Sequence, residues 1–234
     1  RRWTAALLDY LRDTRARAPV FYDLGAHVGE FTLAFAASCS SMHAFEPVPD
    51  TMDRLRSVAA DLPGVRLHPL ALSDTPGTLQ LQRFSDPSFN SLYDRNDQEL
   101  RHYGITRTET VEVQVERLDG YVVRMGLPGP DFVKIDIEGA ELPAIRGAAD
   151  TIARTRPFVL SEYSVENTAN AGYSRERIAE WLSERGYLVR GLYRDRDLEL
   201  YEDLEARSIW NIIAVPREDA EALNPGLVSG AADA

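Results

Sequence analysis

The sequence predicts one α/β domain with a mostly parallel sheet wrapped by helices, and three observations predict it. Short β-rich runs alternate with amphipathic, helix-length segments along the chain. The first β-rich run ends in a glycine turn, Gly25 to Gly29, that opens the next helix. The length, 234 residues, is enough for one sizeable core.

The elements follow in order. Residues 1–18 read as an amphipathic helix, because Asp9, Arg12 and Asp13 interrupt its apolar residues and rule out a signal segment. Strands are predicted at 20–24, 42–46, 65–70, 132–137 and 158–162, with helices at 29–38, 49–62, 139–155 and 174–185. Ser174 is the expected N-cap of the last helix. Strands 187–193 and 209–215 close the sheet. The polar, acidic turn region between them is too short for a helical crossover, so these two should pair antiparallel. The expected sheet is thus seven-stranded and mostly parallel, with a final antiparallel strand. Residues 78–117 are surplus to such a unit. Segments 78–83 and 110–116 alternate strongly and predict two extra strands at a sheet edge, joined by a polar connection over 85–103. The domain should span 1–216, with 217–234 a flexible tail.

Composition narrows the function. A formal net charge of -11 argues against nucleic acid as a partner, since tracking phosphates needs a basic face. The most apolar stretch, 33–45, contains Ser38, Ser40, Ser41 and His43, so no membrane span is predicted. The single cysteine, Cys39, excludes an internal disulfide framework and suits the cytoplasm. Lys134 is the only lysine among 26 Lys and Arg residues, and lysine shifts its pKa readily on burial.

The turn Asp23-Leu24-Gly25-Ala26-His27-Val28-Gly29-Glu30 lets backbone approach a ligand at a helix N-terminus, the Rossmann-like arrangement. Glu46 ends the second strand, placed to accept both ribose hydroxyls of an adenosine-containing ligand. NAD enzymes share that feature. Two others favour S-adenosylmethionine: the glycines are not Gly-x-Gly-x-x-Gly, so a pyrophosphate cradle is missing, and Asp23 would repel a diphosphate while attracting a methionine ammonium. His27 is expected to pack or hydrogen-bond near the cofactor.

The segment 133–141, Val-Lys-Ile-Asp-Ile-Glu-Gly-Ala-Glu, is the most informative. By period two, Lys134, Asp136 and Glu138 share a strand face in what should be an apolar central strand. Charges there cost stability unless they pair or act. Asp136 and Glu138 fall at the carboxyl end, where open α/β sheets bind ligands.

Together with Phe45-Glu46-Pro47 and Ala71-Leu72-Ser73-Asp74, these runs resemble the FkbM family of class I S-adenosylmethionine-dependent methyltransferases, in family order from about Val20 to Val215. Asn90-Ser91-Leu92 resembles a short family motif in the surplus connection. The resemblance implies a class I methyltransferase fold, S-adenosylmethionine as cofactor, and O-methylation of a small hydroxylated acceptor such as a sugar or polyketide. It would place Asp23, Gly25, Ala26, His27 and Gly29 around the methionine part, Glu46 on the ribose, Ala71 and Leu72 against adenine, and Asp136 beside the methyl. His68 and Pro69 depart from the pattern near the adenine contacts.

An alcohol acceptor needs a base or an electrostatic stabiliser. Asp136 is the first candidate, followed by Glu138 and Glu162, with Lys134 among them. The three acids could instead hold a hard divalent cation; the expectation is no metal. Asn90, Ser91, Tyr93 and Tyr163 are the expected acceptor contacts, with Phe89, Asn167, Asn170 and Tyr173 nearby. An amine or carboxylate acceptor, and a non-catalytic S-adenosylmethionine-binding protein, are the competing readings. Self-association is left open.

Overall fold

The computed structural model describes residues 2–193, 196–206 and 208–224, with only backbone described over 196–199. Helix α1 (Arg2–Arg15) buries Trp3, Leu7, Leu8 and Leu11 and ends in Arg12 and Arg15, which suit the negative end of its dipole. The chain then runs through β1 (Val20–Leu24), α2 (Glu30–Phe35), β2 (Ser41–Phe45), α3 (Pro49–Ala59), β3 (Val65–His68) and β4 (Ala71–Leu72). Pro49 opens α3, where its missing N–H costs nothing. The surplus region forms β5 (Gly77–Phe84), α4 (Asp97–Tyr103) and β6 (Arg107–Glu116). After α5 (Leu118–Met125) come β7 (Phe132–Ile135), α6 (Glu141–Gly147), α7 (Ala149–Thr155), β8 (Phe158–Glu162), α8 (Val165–Asn170) and α9 (Glu176–Ser183). Strands β9 (Tyr187–Tyr193), β10 (Arg196–Tyr201) and β11 (Ile209–Pro216) follow, then a 3₁₀ turn at Arg217–Leu223.

The main sheet has the order β10-β9-β11-β8-β7-β1-β2-β3. Strands β8, β7, β1, β2 and β3 are parallel, whereas β11 runs antiparallel to both β8 and β9. This is the expected α/β class with one strand more than predicted. That strand is β10, which pairs antiparallel with β9 at the sheet edge. Its six residues include Arg196, Asp197 and Glu199, and such charge density marks protected edges as well as turns.

Each face of the main sheet carries its own core. Tyr22, Leu24, Val133 and Ile135 pack under α5, α6 and α9, while Phe21 and Phe132 pack under α1 and α2. This is the period-two alternation of strands covered on both sides. Asp131 ties the end of α1 to the sheet by accepting from Arg15, Arg17 and the Val20 N–H.

Four expectations need correction. The insertion strands do not extend the main sheet: β4, β6 and β5 form a separate three-stranded sheet with its own small core of Leu81, Val113 and Val115. Alternation reports that one face is buried and is silent on which sheet buries it. The single helix predicted over 139–155 is two. Asp119 accepts from the Asp150 and Thr151 N–H groups and so caps α7 from outside, while a Cβ on Gly147 would lie 2.1 Å from the Ser73 oxygen. The N-cap of α9 is Arg175 and not Ser174; the buried Arg175 guanidinium instead donates to the carbonyls of Leu204, Glu205, Ala206 and Ile209. Residues 217–223 of the expected flexible tail are ordered, with Ala222 and Leu223 in the core. Residues 225–234 of that tail lie outside the described residues.

Candidate active site

The turn after β1 and the turn after β7 meet at the carboxyl ends of their strands. The Gly25 and Ala26 N–H groups both donate to the Phe45 carbonyl at 3.0 Å, pinning the glycine turn to β2. Gly25 has φ +77°, and a Cβ there would lie 1.9 Å from the Asp136 oxygen. Only glycine allows this approach of two backbones. Glu46 is buried just beyond β2 and accepts from the His27 N–H (3.1 Å) and the Val48 N–H (2.9 Å). Burial pushes its carboxyl up to about 7, against the lowering effect of those two donors.

These groups border a cavity of about 260 Å³. Gly25, Ala26, His27 and Glu46 line it from the turns after β1 and β2; Phe45, Leu70, Ala71 and Leu72 make an apolar wall; Lys134, Asp136 and Glu138 line it from the end of β7 and its turn. Pro87, Ser88, Asn90 and Ser91 of the insertion also border it. His27 adopts a left-handed φ of +49°, and its Nε2 is buried without a hydrogen-bond partner among the described residues. Burial and then the Lys134 charge lower its pKa, so the ring is neutral.

Some expected site residues face elsewhere. Asp23 is fully buried behind the turn and does not border the cavity; it accepts from Thr32 Oγ1 at 3.1 Å and lies 3.2 Å from Lys134 Nζ. The ammonium it attracts is that of Lys134. Gly29, at φ +91°, likewise lies off the cavity and gives way to Leu55 and Val58 of α3. Tyr163 is buried in the main core beneath the Arg175 guanidinium, because strand alternation sends it opposite to Glu162. Tyr93 is off the cavity and lies beside Gly139.

Lys134 donates to the Gly25 carbonyl at 2.7 Å and lies 3.7 Å from Asp136. Burial alone would lower its pKa, yet the charges of Asp23 and Asp136 and the Asp23 hydrogen bond outweigh it and raise the value. Lys134 is therefore a fixed ammonium and no base. Asp136 is the more open acid, its side chain 44% exposed.

Glu138 adopts φ +55°, a conformation that costs a non-glycine residue energy. The turn is held from both sides. Glu141, buried, accepts from the Ile137 and Gly139 N–H groups, and Ser91 Oγ donates to the Glu138 carbonyl at 2.6 Å. The Glu138 carboxylate meets Arg95, and Asn167 Nδ2 donates to Glu138 at 2.8 Å and to Glu162 at 2.9 Å. Burial, then the Asp136 charge, raises the Glu138 pKa against the pull of Arg95. Burial, then Glu138 and Asp136, also raises that of Glu162 well above the usual carboxylate range. Arg95, Glu99 and the structural role of Glu141 are not among the sequence-predicted features. The available signal was the Arg95–Glu99 pair at i,i+4, opposite charges inside a connection that otherwise looked like loop.

A model of the methyltransferase FkbM domain matches residues 23–189. The chain belongs to the FkbM methyltransferase family. It is 28% identical over 155 residues to the 2-O-methyltransferase NoeI of Sinorhizobium fredii, covering 62% of this chain and 63% of that protein. It is 27% identical to the hexuronic acid methyltransferase AglP of Haloferax volcanii, over 76% of this chain and 68% of that one. The chain thus spans a little under two thirds of the length of NoeI. The crystal structure of methyltransferase FkbM from Methylobacillus flagellatus shares the fold, with a TM-score of 0.53 and 17% identity over 84% of this chain and 43% of that one.

The FkbM match begins at Asp23 and ends in β9, so it contains both turns, the insertion and all the acids described above. Asp136, Glu138 and Glu162 each bring one oxygen within 4.8 Å of the others. That spacing would suit a hard cation, and one oxygen of each glutamate, Oε2, accepts from protein: Glu138 from Arg95 and Asn167, Glu162 from Asn167. Among the described residues, no helix is long and apolar enough to cross a membrane.

Proposed function

We propose that this FkbM chain is an S-adenosylmethionine-dependent O-methyltransferase acting on a hydroxyl of a small polyhydroxylated molecule, a sugar or related natural product. The observation that carries the reading is one cavity bordered by Glu46 and the Gly25 turn together with Lys134, Asp136 and Glu138. The names of NoeI and AglP, a 2-O-methyltransferase and a hexuronic acid methyltransferase, support a sugar-like acceptor.

The residues present fit the cofactor. Glu46 offers a buried carboxylate to ribose hydroxyls, the wall of Phe45, Leu70, Ala71 and Leu72 suits adenine, and the backbone of Gly25 and Ala26 allows close approach. S-adenosylmethionine, when bound, supplies a methyl already activated on a sulfonium. What remains for the protein is alignment and removal of a proton. Asp136 takes the proton of the acceptor hydroxyl, and Lys134, held as an ammonium by Asp23, lies 3.7 Å from its carboxylate. Asn90 and Ser91 present polar groups to the acceptor from the insertion, and no metal takes part. The single cysteine, Cys39, whose thiol burial pushes up to about 12, accords with a reducing cytoplasmic setting.

Calorimetry with S-adenosylmethionine and with NAD, followed by uptake of labelled methyl into a panel of sugars, tests the reading. Binding of S-adenosylmethionine alone and label in at least one hydroxylated acceptor are expected. Tight NAD binding without response to the methyl donor would sink it, and label only in amines or carboxylates would change the acceptor class.

A further inference from the structure

The connection between β5 and β6 carries a buried ion network that the proton removal assigned to Asp136 does not use. Arg95 is 2% exposed and spends its whole guanidinium on protein. Nη1 donates to Glu99 Oε1 at 2.5 Å and to Asn167 Oδ1 at 2.7 Å, Nη2 donates to Glu138 Oε2, and Nε donates to the Phe89 carbonyl at 3.0 Å. Phe89 stacks under the cation, 4.9 Å from ring centroid to Cζ. Asn170 Nδ2 steadies the far side by donating to Glu99 Oε2 at 2.9 Å.

Burying a guanidinium between carboxylates is a poor way to add stability, since apolar residues of similar volume usually do as well. Its planar fork is suited to fixing several partners in one geometry. These partners belong to the insertion, to Glu138 beside Asp136, or to α8, whose Asn167 also donates to Glu138 and Glu162. The backbone points the same way: the left-handed Glu138 is gripped by the insertion twice, through Ser91 on its carbonyl and Arg95 on its carboxylate. A strained residue keeps such a conformation only where its surroundings over-determine it.

We propose that Arg95 is a positioning residue for methyl transfer, holding Glu138, and through Asn167 also Glu162, in a fixed array beside Asp136. The inference rests on the methyltransferase reading above. It makes the packing of the insertion onto the β7 turn a condition for a working site, and it explains why this connection carries a buried charge at all. Both Nη atoms are engaged, so Arg95 orders the acids and leaves acceptor binding to the groups that border the cavity.

The test compares Arg95→Gln and Arg95→Lys with the wild-type chain, measuring S-adenosylmethionine affinity, acceptor KM, kcat and the pH profile. For Arg95→Gln, kcat should fall roughly tenfold or more while cofactor affinity stays within about threefold, because misplaced groups cost rate at the reacting centre. The groups facing Glu138 would then be Asp136, Glu141, Glu162 and Asn167, without a cation. Arg95 holds the Glu138 pKa down, so its loss should raise it, and a limb of the profile that reads ionisation of Glu138 in the array should move up by about one unit. Arg95→Lys should restore much of the limb but little of kcat, since it returns the charge without the fork. If Arg95→Gln does not fold, Asn167→Ala reads the same array and should shift the limb with cofactor affinity retained. An active wild type with an unchanged profile in the folded variant, or equal losses in kcat and cofactor affinity, would overturn this proposal alone. No methyl transfer by the wild type would overturn it together with the reading beneath it.

Discussion

Around the Gly25 turn and Glu46 backbone sets the shape of the site, and around Glu138 and Glu162 charged side chains set it. Gly25 brings the β1 turn within reach of the Asp136 carbonyl, the Phe45 carbonyl binds two consecutive N–H groups, and Glu46 rests on two more. Around Glu138 and Glu162 the contacts are instead side chain to side chain, among Arg95, Glu99, Asn167 and the acids, drawn from three segments far apart in the chain. The difference teaches where tolerance should lie. Backbone geometry fails outright when a methyl group is added, whereas a charge network loses function by degrees as its members are exchanged.

Gly25→Ala should give the largest effect. Its Cβ has no room against the Asp136 oxygen, and the residue would also be forced to hold a left-handed φ. A stability loss of roughly 2–4 kcal/mol and cofactor affinity too weak to measure are expected from thermal melts and calorimetry. Near-normal binding by this variant would erase the distinction between the two regions.

A matched pair of substitutions sharpens it. Asp136→Asn should lower kcat by about two orders of magnitude with cofactor affinity within about threefold. Glu46→Gln should do the reverse, weakening cofactor roughly tenfold with kcat at saturation nearly kept. Equal losses in kcat and affinity for Asp136→Asn would make it a binding residue only. Dialysis against EDTA should then leave turnover unchanged; loss restored by magnesium would mean that a cation, and not Arg95, organises the acids.

The smallest effect concerns the floor beneath Phe45. His43 Nδ1 and His68 Nε2 lie 3.1 Å apart, and His68 Nδ1 lies 3.0 Å from the Tyr121 hydroxyl. Burial first, with Arg66 for His43 and with His43 and Arg66 for His68, lowers both pKa values to about 4. Unfolded histidine titrates near 6.5, so the unfolded chain binds protons that the folded one refuses. Their contribution to stability is whole above pH 6.5 and is lost as pH falls from there toward 4. Melting temperatures across that range should drop, and less steeply in His68→Asn; an equal slope would remove these histidines from the account.

Legibility in the sequence followed the same division. Strand 20–24, strand 158–162, the glycine turn and Glu46 were read from local pattern, Ala71 and Leu72 only through the family resemblance, and Glu46 and that pair border the cavity. Asp23 and Tyr163 were misread because the sequence showed their chemistry without their direction. Asp23 turns inward to Lys134, and Tyr163 turns into the core one residue after an acid that does face the site. Arg95 was invisible: an arginine in a polar connection looks solvated until the fold supplies Glu138 and Asn167.

By itself the sequence determined the alternation of strands and helices, the glycine turn after the first strand, and the clustering of Lys134, Asp136 and Glu138 at one strand end. These depend on periods of two and 3.6 and on glycine's lack of a Cβ, which are properties of neighbouring residues. The tertiary structure alone decided that the insertion builds a sheet of its own, that Lys134 is held charged by Asp23, and that Arg95 closes on Glu138. The strength and sign of a buried charge interaction depend on which distant segments exclude water together, and local sequence does not specify that.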